Sequence, residues 1–233
     1  MALFVIGDLH LATSVPKPMD IFGGNWDNHA EKICSAWKSL VSDEDTVVVC
    51  GDSSWGINLN EALSDFKLID SLPGKKLLLK GNHDYWWTTV SKMNTFLAEN
   101  NIASIEFLHN NCFAHGDIAI CGSRGWFNRQ SDNATDDAKM QLREAQRIMQ
   151  SASLAKKQYP DKQLMLFLHY PPYYNGEECI PVMDAVIACG ASDCWFGHIH
   201  STGIPLANTG EYKGVQLHLV SCDAINFTPM LVK

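Results

Sequence analysis

The stretch ALFVIGDLH at positions 2–10 contains the pattern that decides the fold. Its first five residues are apolar and lack polar alternation, which is typical of a strand that is buried on both faces. A glycine, an aspartate and a histidine follow where the strand is predicted to end. Because aspartate and histidine are metal-ligand residue types, this stretch predicts a buried strand that delivers ligands at its carboxyl end.

Four further apolar runs end in the same kind of residue. The runs at 46–50, 76–80, 164–168 and 194–196 are followed by GD at 51–52, GNHD at 81–84, H at 169 and GHIH at 197–200. Ligands of open α/β sheets bind beyond the carboxyl ends of the strands. These five strand ends are therefore predicted to bring two carboxylates, an amide and four imidazoles to one edge: Asp8, Asp52, Asn82, His10, His169, His198 and His200.

Segments with the hydrophobic periodicity of a helix lie between most of the apolar runs. We predict helices at 27–41, 59–72, 91–100, 134–158 and 183–188, the longest of them facing solvent. Strands that alternate with helices indicate an α/β fold, and the segment 215–233 reads as consecutive strands, so part of the sheet system is predicted to be antiparallel. We find no linker or internal repeat, and 233 residues suit one domain covering 1–233.

Composition excludes several classes of protein. Eighteen basic and 26 acidic side chains give a net charge of −8, which disfavours general nucleic-acid binding, so any positive charge for phosphate must be local. No apolar run approaches the roughly 18 residues of a membrane span, and no basic leader precedes Asp8. The eight cysteines include no Cys-x-x-Cys pair, so we expect free thiols in the cytoplasm.

The predicted ligand set suits a pair of divalent transition-metal ions. Imidazole favours such ions over calcium or magnesium, and we favour Mn²⁺ or Fe, with Zn²⁺, Ni²⁺ and Co²⁺ as alternatives. Two ions about 3.5–4 Å apart need a bridging group, and Asp52 is the natural one because it stands alone at its strand end. The glycines before the ligands, Gly51, Gly81 and Gly197, leave room for close approach of the backbone.

Taken together, these motifs make the sequence resemble the calcineurin-like metallophosphoesterase superfamily, as a small bacterial-type phosphohydrolase. The resemblance rests on the five motifs quoted above, which span positions 8 to 200. It implies a four-layer α/β/β/α sandwich of two mixed sheets flanked by helices. It also implies that one metal is held by Asp8, His10, Asp52 and His200, and the other by Asp52, Asn82, His169 and His198. In the family the histidine that corresponds to His83 is not a ligand but assists the leaving group.

The mechanism that we expect is hydrolysis of a soluble phosphomonoester or phosphodiester, including nucleotide-like esters. A hydroxide that bridges two ions attacks phosphorus, and His83 protonates the leaving oxygen. Asp84 is predicted to orient His83, the alternative being that it caps the following helix. Rival hypotheses are a nuclease or a protein phosphatase on the same scaffold, and a scaffold protein that binds metal without catalysis.

Further side chains are candidates for the substrate pocket. Arg124 follows a predicted strand and suits bidentate binding of a phosphate oxygen, with a surface ion pair as the alternative. Four tryptophans near the motifs either wall the pocket or pack in the core: Trp55, Trp86, Trp87 and Trp126. The remaining histidines, His29, His109, His115 and His218, are interpreted as hydrogen-bonded structural residues.

Overall fold

The computed structural model describes residues 1–127 and 134–233. In chain order, its strands are β1 (Leu3–Ile6), β2 (Thr46–Val49), β3 (Lys75–Leu78), β4 (Ile105–Phe107), β5 (Cys112–His115), β6 (Ile118–Ser123), β7 (Gln163–Leu168), β8 (Tyr173–Tyr174), β9 (Glu177–Glu178), β10 (Asp193–Phe196), β11 (Gly210–Tyr212), β12 (Val215–Leu219) and β13 (Met230–Leu231). The α-helices are α1 (His29–Leu40), α2 (Leu59–Ser71), α3 (Val90–Glu99), α4 (Ala134–Gln158) and α5 (Ile180–Ala188). Short 3₁₀ turns cover Asp20–Phe22, Gly24–Trp26 and Ser201–Leu206.

Two large mixed sheets contain most of these strands. The first has the order β13-β1-β2-β3-β4, and the second has the order β11-β12-β10-β7-β6-β5. In the first sheet, β1 to β4 are parallel and β13 is antiparallel at the edge. In the second, β5 and β11 are antiparallel edge strands, and the four central strands are parallel. The parallel strands therefore place several carboxyl ends at one edge of each sheet.

The apolar strands bury both faces, as predicted from their lack of alternation. In β1, Leu3 and Val5 point into a core between the two sheets, where they join residues such as Phe167 of β7. The alternate residues Phe4 and Ile6 point the other way, into the core that α1, α2 and α3 cover. Successive side chains of a strand face opposite sides, so a continuous apolar run supplies two cores at once.

Helices α4 and α5 cover the outer face of the second sheet and complete the four layers. Ile148 and Ala152 of α4 are fully buried against this sheet, whereas Leu142 is 58% exposed. The prediction that 134–158 faces solvent was therefore wrong for one side of the helix. The α/β/β/α sandwich of two mixed sheets is confirmed.

The prediction of consecutive C-terminal strands and of a partly antiparallel sheet system is confirmed. β12 and β13 follow one another without an intervening α-helix, but they lie in different sheets. β12 pairs in parallel with β10, and β13 pairs antiparallel with β1, so the chain crosses from one sheet to the other between them. Within residues 1–127 and 134–233, no helix has both the length and the apolar character needed to cross a bilayer.

Candidate metal centre

The loops after the parallel strands converge into two groups of potential ligands. The first group contains Asp8, His10 and His200, and the second contains Asp52, His169 and His198. Within each group, one donor atom from every residue lies within 4.8 Å of the others. Residues as far apart in the chain as Asp8 and His200 thus meet at the edge that was predicted from the sequence.

Asp52 belongs to the second group and also lies close to the first. Its Oδ2 atom is 3.8 Å from Nε2 of His10 in the first group and 3.7 Å from Nε2 of His169 in the second. Its other oxygen, Oδ1, accepts a hydrogen bond from the backbone N–H of His83 at 2.7 Å. The arrangement gives one carboxylate oxygen access to both groups, which is what a bridging ligand requires.

Two glycines allow this close packing around the carboxylates. A Cβ atom on Gly81 would overlap Oδ1 of Asp52, and one on Gly197 would overlap Oδ2 of Asp8. Neither position therefore has room for a side chain. The prediction that these glycines permit close approach is confirmed.

Four of the candidate ligands adopt left-handed backbone conformations that are uncommon for residues other than glycine: Asp8, His10, Asp52 and His198, with φ between 45° and 74°. Hydrogen bonds hold this strained backbone in place. The N–H of Asp8 donates to the carbonyl of Gly51 at 2.9 Å, and that of His10 donates to the carbonyl of Asp52 at 2.9 Å. Such strain is found at functional sites, where the surrounding structure enforces it.

His169 presents a lone pair to the centre. Its Nδ1–H donates to the carbonyl of Cys50 at 2.9 Å, and burial lowers the pKa of this imidazole to about 4, so it is neutral near pH 7. Its Nε2 atom is then an acceptor, and it faces the Oδ1 acceptor of Asn82 at 2.7 Å. A cation bound by both atoms satisfies this pair of acceptors, so these residues fit a metal ion.

His200 has a carboxylate partner on its far side. Its Nδ1 lies 2.7 Å from Oδ1 of Asp223, while its Nε2 is 3.5 Å from Oδ1 of Asp8 and is buried without a hydrogen-bond partner among the described residues. Burial disfavours the charged imidazole, but Asp8 and the hydrogen bond to Asp223 outweigh it and raise the pKa of His200 to about 10. This end of the centre therefore attracts positive charge, and an ion there would replace a proton.

Asp223 is a site residue that the sequence reasoning missed. It follows β12 within Ser221-Cys222-Asp223, and its second oxygen accepts from the backbone N–H of Ser201 at 3.0 Å. The signal was present, because an aspartate follows another apolar run, at 215–220. Carboxylates that hold the far nitrogen of a ligating histidine fix its orientation and raise its basicity.

Replacing Asp223 by asparagine is expected to weaken metal affinity about 10- to 100-fold, since His200 loses the charged partner that orients it. Asp193→Asn is the matched control. It alters a comparable carboxylate–imidazole pair, Asp193 with His218 at 2.9 Å, outside both groups of potential ligands. Competition with a metal-chelating dye measures both affinities. Equal affinities in the two variants would contradict this role for Asp223.

His83 lies beside the shared carboxylate. Its ring packs against Trp55 at 4.4 Å between centroids, and Trp55 in turn stacks on His10 at 5.0 Å. Its Nδ1 lies 3.2 Å from the hydroxyl of Tyr85. The rings of His10 and His83 lie 5.7 Å apart between centroids, so Trp55 packs against two imidazoles that also contact each other.

Asp84 is buried, and its carboxylate binds the loop that carries Asp52. One oxygen accepts from the backbone N–H groups of Asp52 and Gly81 at 2.9 and 2.7 Å. The other accepts from the N–H and hydroxyl of Ser53, both at 2.9 Å, and from the indole N–H of Trp86 at 3.1 Å. These contacts give Asp84 a positioning role for the metal loop, while its predicted orientation of His83 stays a prediction.

The alternative that Asp84 caps the next helix is wrong. α3 begins at Val90, and its N-cap is Thr89, whose side chain accepts from the N–H of Lys92. Of the other predicted tryptophans, Trp86 is buried against Phe66.

Arg124 lies at the end of β6, next to the second group of ligands. Its carbonyl accepts from the N–H of His169 at 3.1 Å and from that of Tyr170 at 2.9 Å. Its guanidinium lies over the ring of Trp126 at 4.7 Å from the centroid. The backbone of Arg124 therefore adjoins that of His169.

The remaining histidines mostly make the hydrogen bonds expected of structural residues. Nε2 of His29 lies 3.2 Å from the carbonyl of His10, Nδ1 of His115 lies 3.0 Å from the hydroxyl of Thr46, and His218 contacts Asp193 as described.

The chain belongs to the calcineurin-like phosphoesterase family, whose model matches residues 1–202. This family assignment and the two groups of ligands make the protein a metal-dependent phosphoesterase. No curated protein sequence matches the chain.

Two solved structures share the fold. One is the protein TT1561 of Thermus thermophilus, with a TM-score of 0.57 and 10% sequence identity, covering 98% of this chain and 96% of that one. The other is the protein of unknown function AQ665 from Aquifex aeolicus, with a TM-score of 0.51 and 14% identity, covering 99% of this chain and 95% of that one. At such identities the likeness concerns the fold alone.

Proposed function

We propose that the protein hydrolyses a small phosphomonoester or phosphodiester with two divalent transition-metal ions, Mn²⁺ or Fe in preference to Zn²⁺, Ni²⁺ or Co²⁺. The observation that carries this proposal is the position of Asp52 Oδ2, 3.8 Å from His10 and 3.7 Å from His169. Asp8, His10, Asp52 and His200 would hold one ion, and Asp52, Asn82, His169 and His198 would hold the other. When bound, the ions polarise phosphoryl oxygens and supply a hydroxide nucleophile near neutral pH.

Groups around the candidate ligands orient the ligand side chains and contact the substrate. Asp223 holds the ring of His200 and the carbonyl of Cys50 holds that of His169, so both imidazoles keep fixed tautomers. His83, whose backbone N–H donates to Oδ1 of Asp52, lies beside the candidate ligands and would protonate the leaving oxygen. Arg124 lies next to His169 and binds a phosphoryl oxygen of the substrate.

The same observations rank the rival functions. A net charge of −8 disfavours a nuclease, because a long phosphate backbone needs many compensating cations. A purely structural metal scaffold has no need for His83 beside the centre. All eight cysteines are free thiols, and this supports a reducing compartment such as the cytoplasm.

A screen of phosphoesters tests the proposal. The purified chain is stripped with a chelator, reloaded with Mn²⁺ and assayed on p-nitrophenyl phosphate, bis-p-nitrophenyl phosphate, cyclic nucleotides and single-stranded DNA. We expect metal-dependent hydrolysis of at least one small ester and none of the DNA. A protein that retains two ions yet cleaves no ester would overturn the proposed function.

Substitution of His83 by alanine is expected to lower kcat about 10²- to 10⁴-fold for phenyl phosphate, whose leaving group is a poor one, and less for p-nitrophenyl phosphate. The difference arises because a good leaving group needs little protonation. His115→Ala is the matched control, since this imidazole contacts Thr46 on a strand. Equal, small losses of kcat for both esters, with unchanged metal content, would show that His83 is not the general acid.

A further inference from the structure

Basic side chains gather in a cavity of about 430 Å³ next to the metal centre. Three of the chain's four arginines and one lysine line it: Lys80, Arg124, Arg143 and Arg147. Among the described residues, no carboxylate lines the cavity. These basic side chains form a local concentration of positive charge in a protein whose net charge is −8.

The cavity shares its walls with the segments that carry two candidate ligands. Lys80 lies two positions before Asn82. Arg124 accepts the backbone N–H of His169 through its carbonyl, at 3.1 Å. The basic cavity, named here the Arg143 pocket, therefore adjoins the segments that carry Asn82 and His169.

Arg147 has an acidic partner behind the wall of the pocket. Nη1 of Arg147 donates to Oε1 of Glu144 at 2.6 Å, and the fully buried Glu144 also accepts from the hydroxyl of Ser123. This pair fixes Arg147 at the edge of the pocket. The positive charge of Arg147 also acts on His109. Burial lowers the pKa of this histidine, Arg147 lowers it further, and Glu144 offsets part of the lowering.

The chemistry of the lining matches a phosphate group. Guanidinium groups bind phosphate oxygens in a planar, bidentate manner, and lysine adds a point charge. Thr88, Thr89 and His109 add further polar side chains to the lining. A single phosphoryl group held at the metal centre does not need this pocket, because two ions and Arg124 already neutralise its charge.

We propose that the Arg143 pocket binds a second phosphate group of the substrate, so that the natural substrate is a small molecule with two phosphate groups. One group is cleaved at the metal centre, and the other is held by Lys80 and Arg143. The identity of the substrate rests on the proposed function, whereas the binding of a second anionic group does not.

Binding of two stable phosphonates tests the pocket without turnover. Calorimetric titration of the Mn²⁺-loaded chain compares methylenebisphosphonate, which has two anionic groups, with methylphosphonate, which has one. The variants are Arg143→Ala, on the exposed side of α4, and the control Lys139→Ala. Lys139 lies on the same helix, is paired with Asp136 at 3.4 Å and does not line the pocket.

We expect the wild type to bind the bisphosphonate at least tenfold more tightly than the monophosphonate. Arg143→Ala should lose about tenfold for the bisphosphonate only, as a charge-assisted hydrogen bond disappears, and Lys139→Ala should lose neither. Equal losses in the two variants, or no effect of Arg143→Ala, would overturn the second anion site. A failure to hydrolyse any ester counts against the proposed function alone, because these titrations need no catalysis.

Discussion

Replacing Asp52 by asparagine is expected to lower kcat about 10³-fold or more and to release at least one of two bound ions. The oxygen that faces both His10 and His169 becomes part of a neutral amide, which cannot neutralise two cations. Metal ions supply several kcal/mol of charge stabilisation in the transition state, and each 1.36 kcal/mol corresponds to a factor of about ten. Steady-state kinetics and elemental analysis after dialysis measure the two effects.

The melting temperature separates loss of a ligand from loss of structure. Burial, together with the neighbouring carboxylates of Asp84 and Asp8, raises the pKa of Asp52 well above its usual range, so its charge is costly without metal. Asp52→Asn should therefore leave the metal-free protein as stable as the wild type or more so, while abolishing most of the stabilisation by added metal.

Asp45→Asn is the matched control for this variant. Asp45 is buried at the opposite end of β2, where it accepts from the N–H of Ala2 at 2.6 Å and from that of Ser42 at 2.8 Å. Its substitution should lower stability with and without metal and leave metal stoichiometry unchanged. Two retained ions and near-normal activity in Asp52→Asn would contradict a bridging role.

Much of the centre could be predicted because its ligands share one position in the topology. Parallel β1, β2 and β3 are in register, with Ile6 opposite Val49 and Val49 opposite Leu78, so their carboxyl ends are level. Residues one to four positions beyond those ends must then be neighbours. Apolar runs mark where such strands end, and this local signal therefore predicted long-range contacts.

Other features depend on contacts that no local pattern encodes. β4 and β5 were missed because they are short edge-side segments with partly exposed residues such as Glu106 and Ala114. Asp84 accepts from the backbone N–H groups of Asp52, Ser53 and Gly81, and all residues except proline offer such a group, so its role could not be read from residue types. The Arg143 pocket joins positions 80, 124, 143 and 147, and only the packing of α4 on the second sheet brings them together.

Asp84→Ala is expected to destabilise the protein by about 4 kcal/mol, in the presence or absence of metal. The carboxylate accepts from Asp52, Ser53 and Gly81, and its removal leaves their buried N–H groups without acceptors. Each such buried group costs about 1–3 kcal/mol, and the contributions are not fully additive. For a chain of this size the melting temperature should fall by about 10 °C, measured by calorimetry.

A double-mutant cycle with His83→Ala distinguishes positioning of the loop from orientation of His83. If Asp84 acts by holding the backbone of Asp52, its loss weakens metal binding equally whether or not His83 is present. If it acts only by orienting His83, removing Asp84 has no further effect on kcat in the His83→Ala background, and the melting temperature barely changes. The buried hydrogen bonds that Asp84 accepts from the backbone at Asp52 and Gly81 predict the first result. These bonds fix the geometry of the metal loop directly, without the involvement of His83.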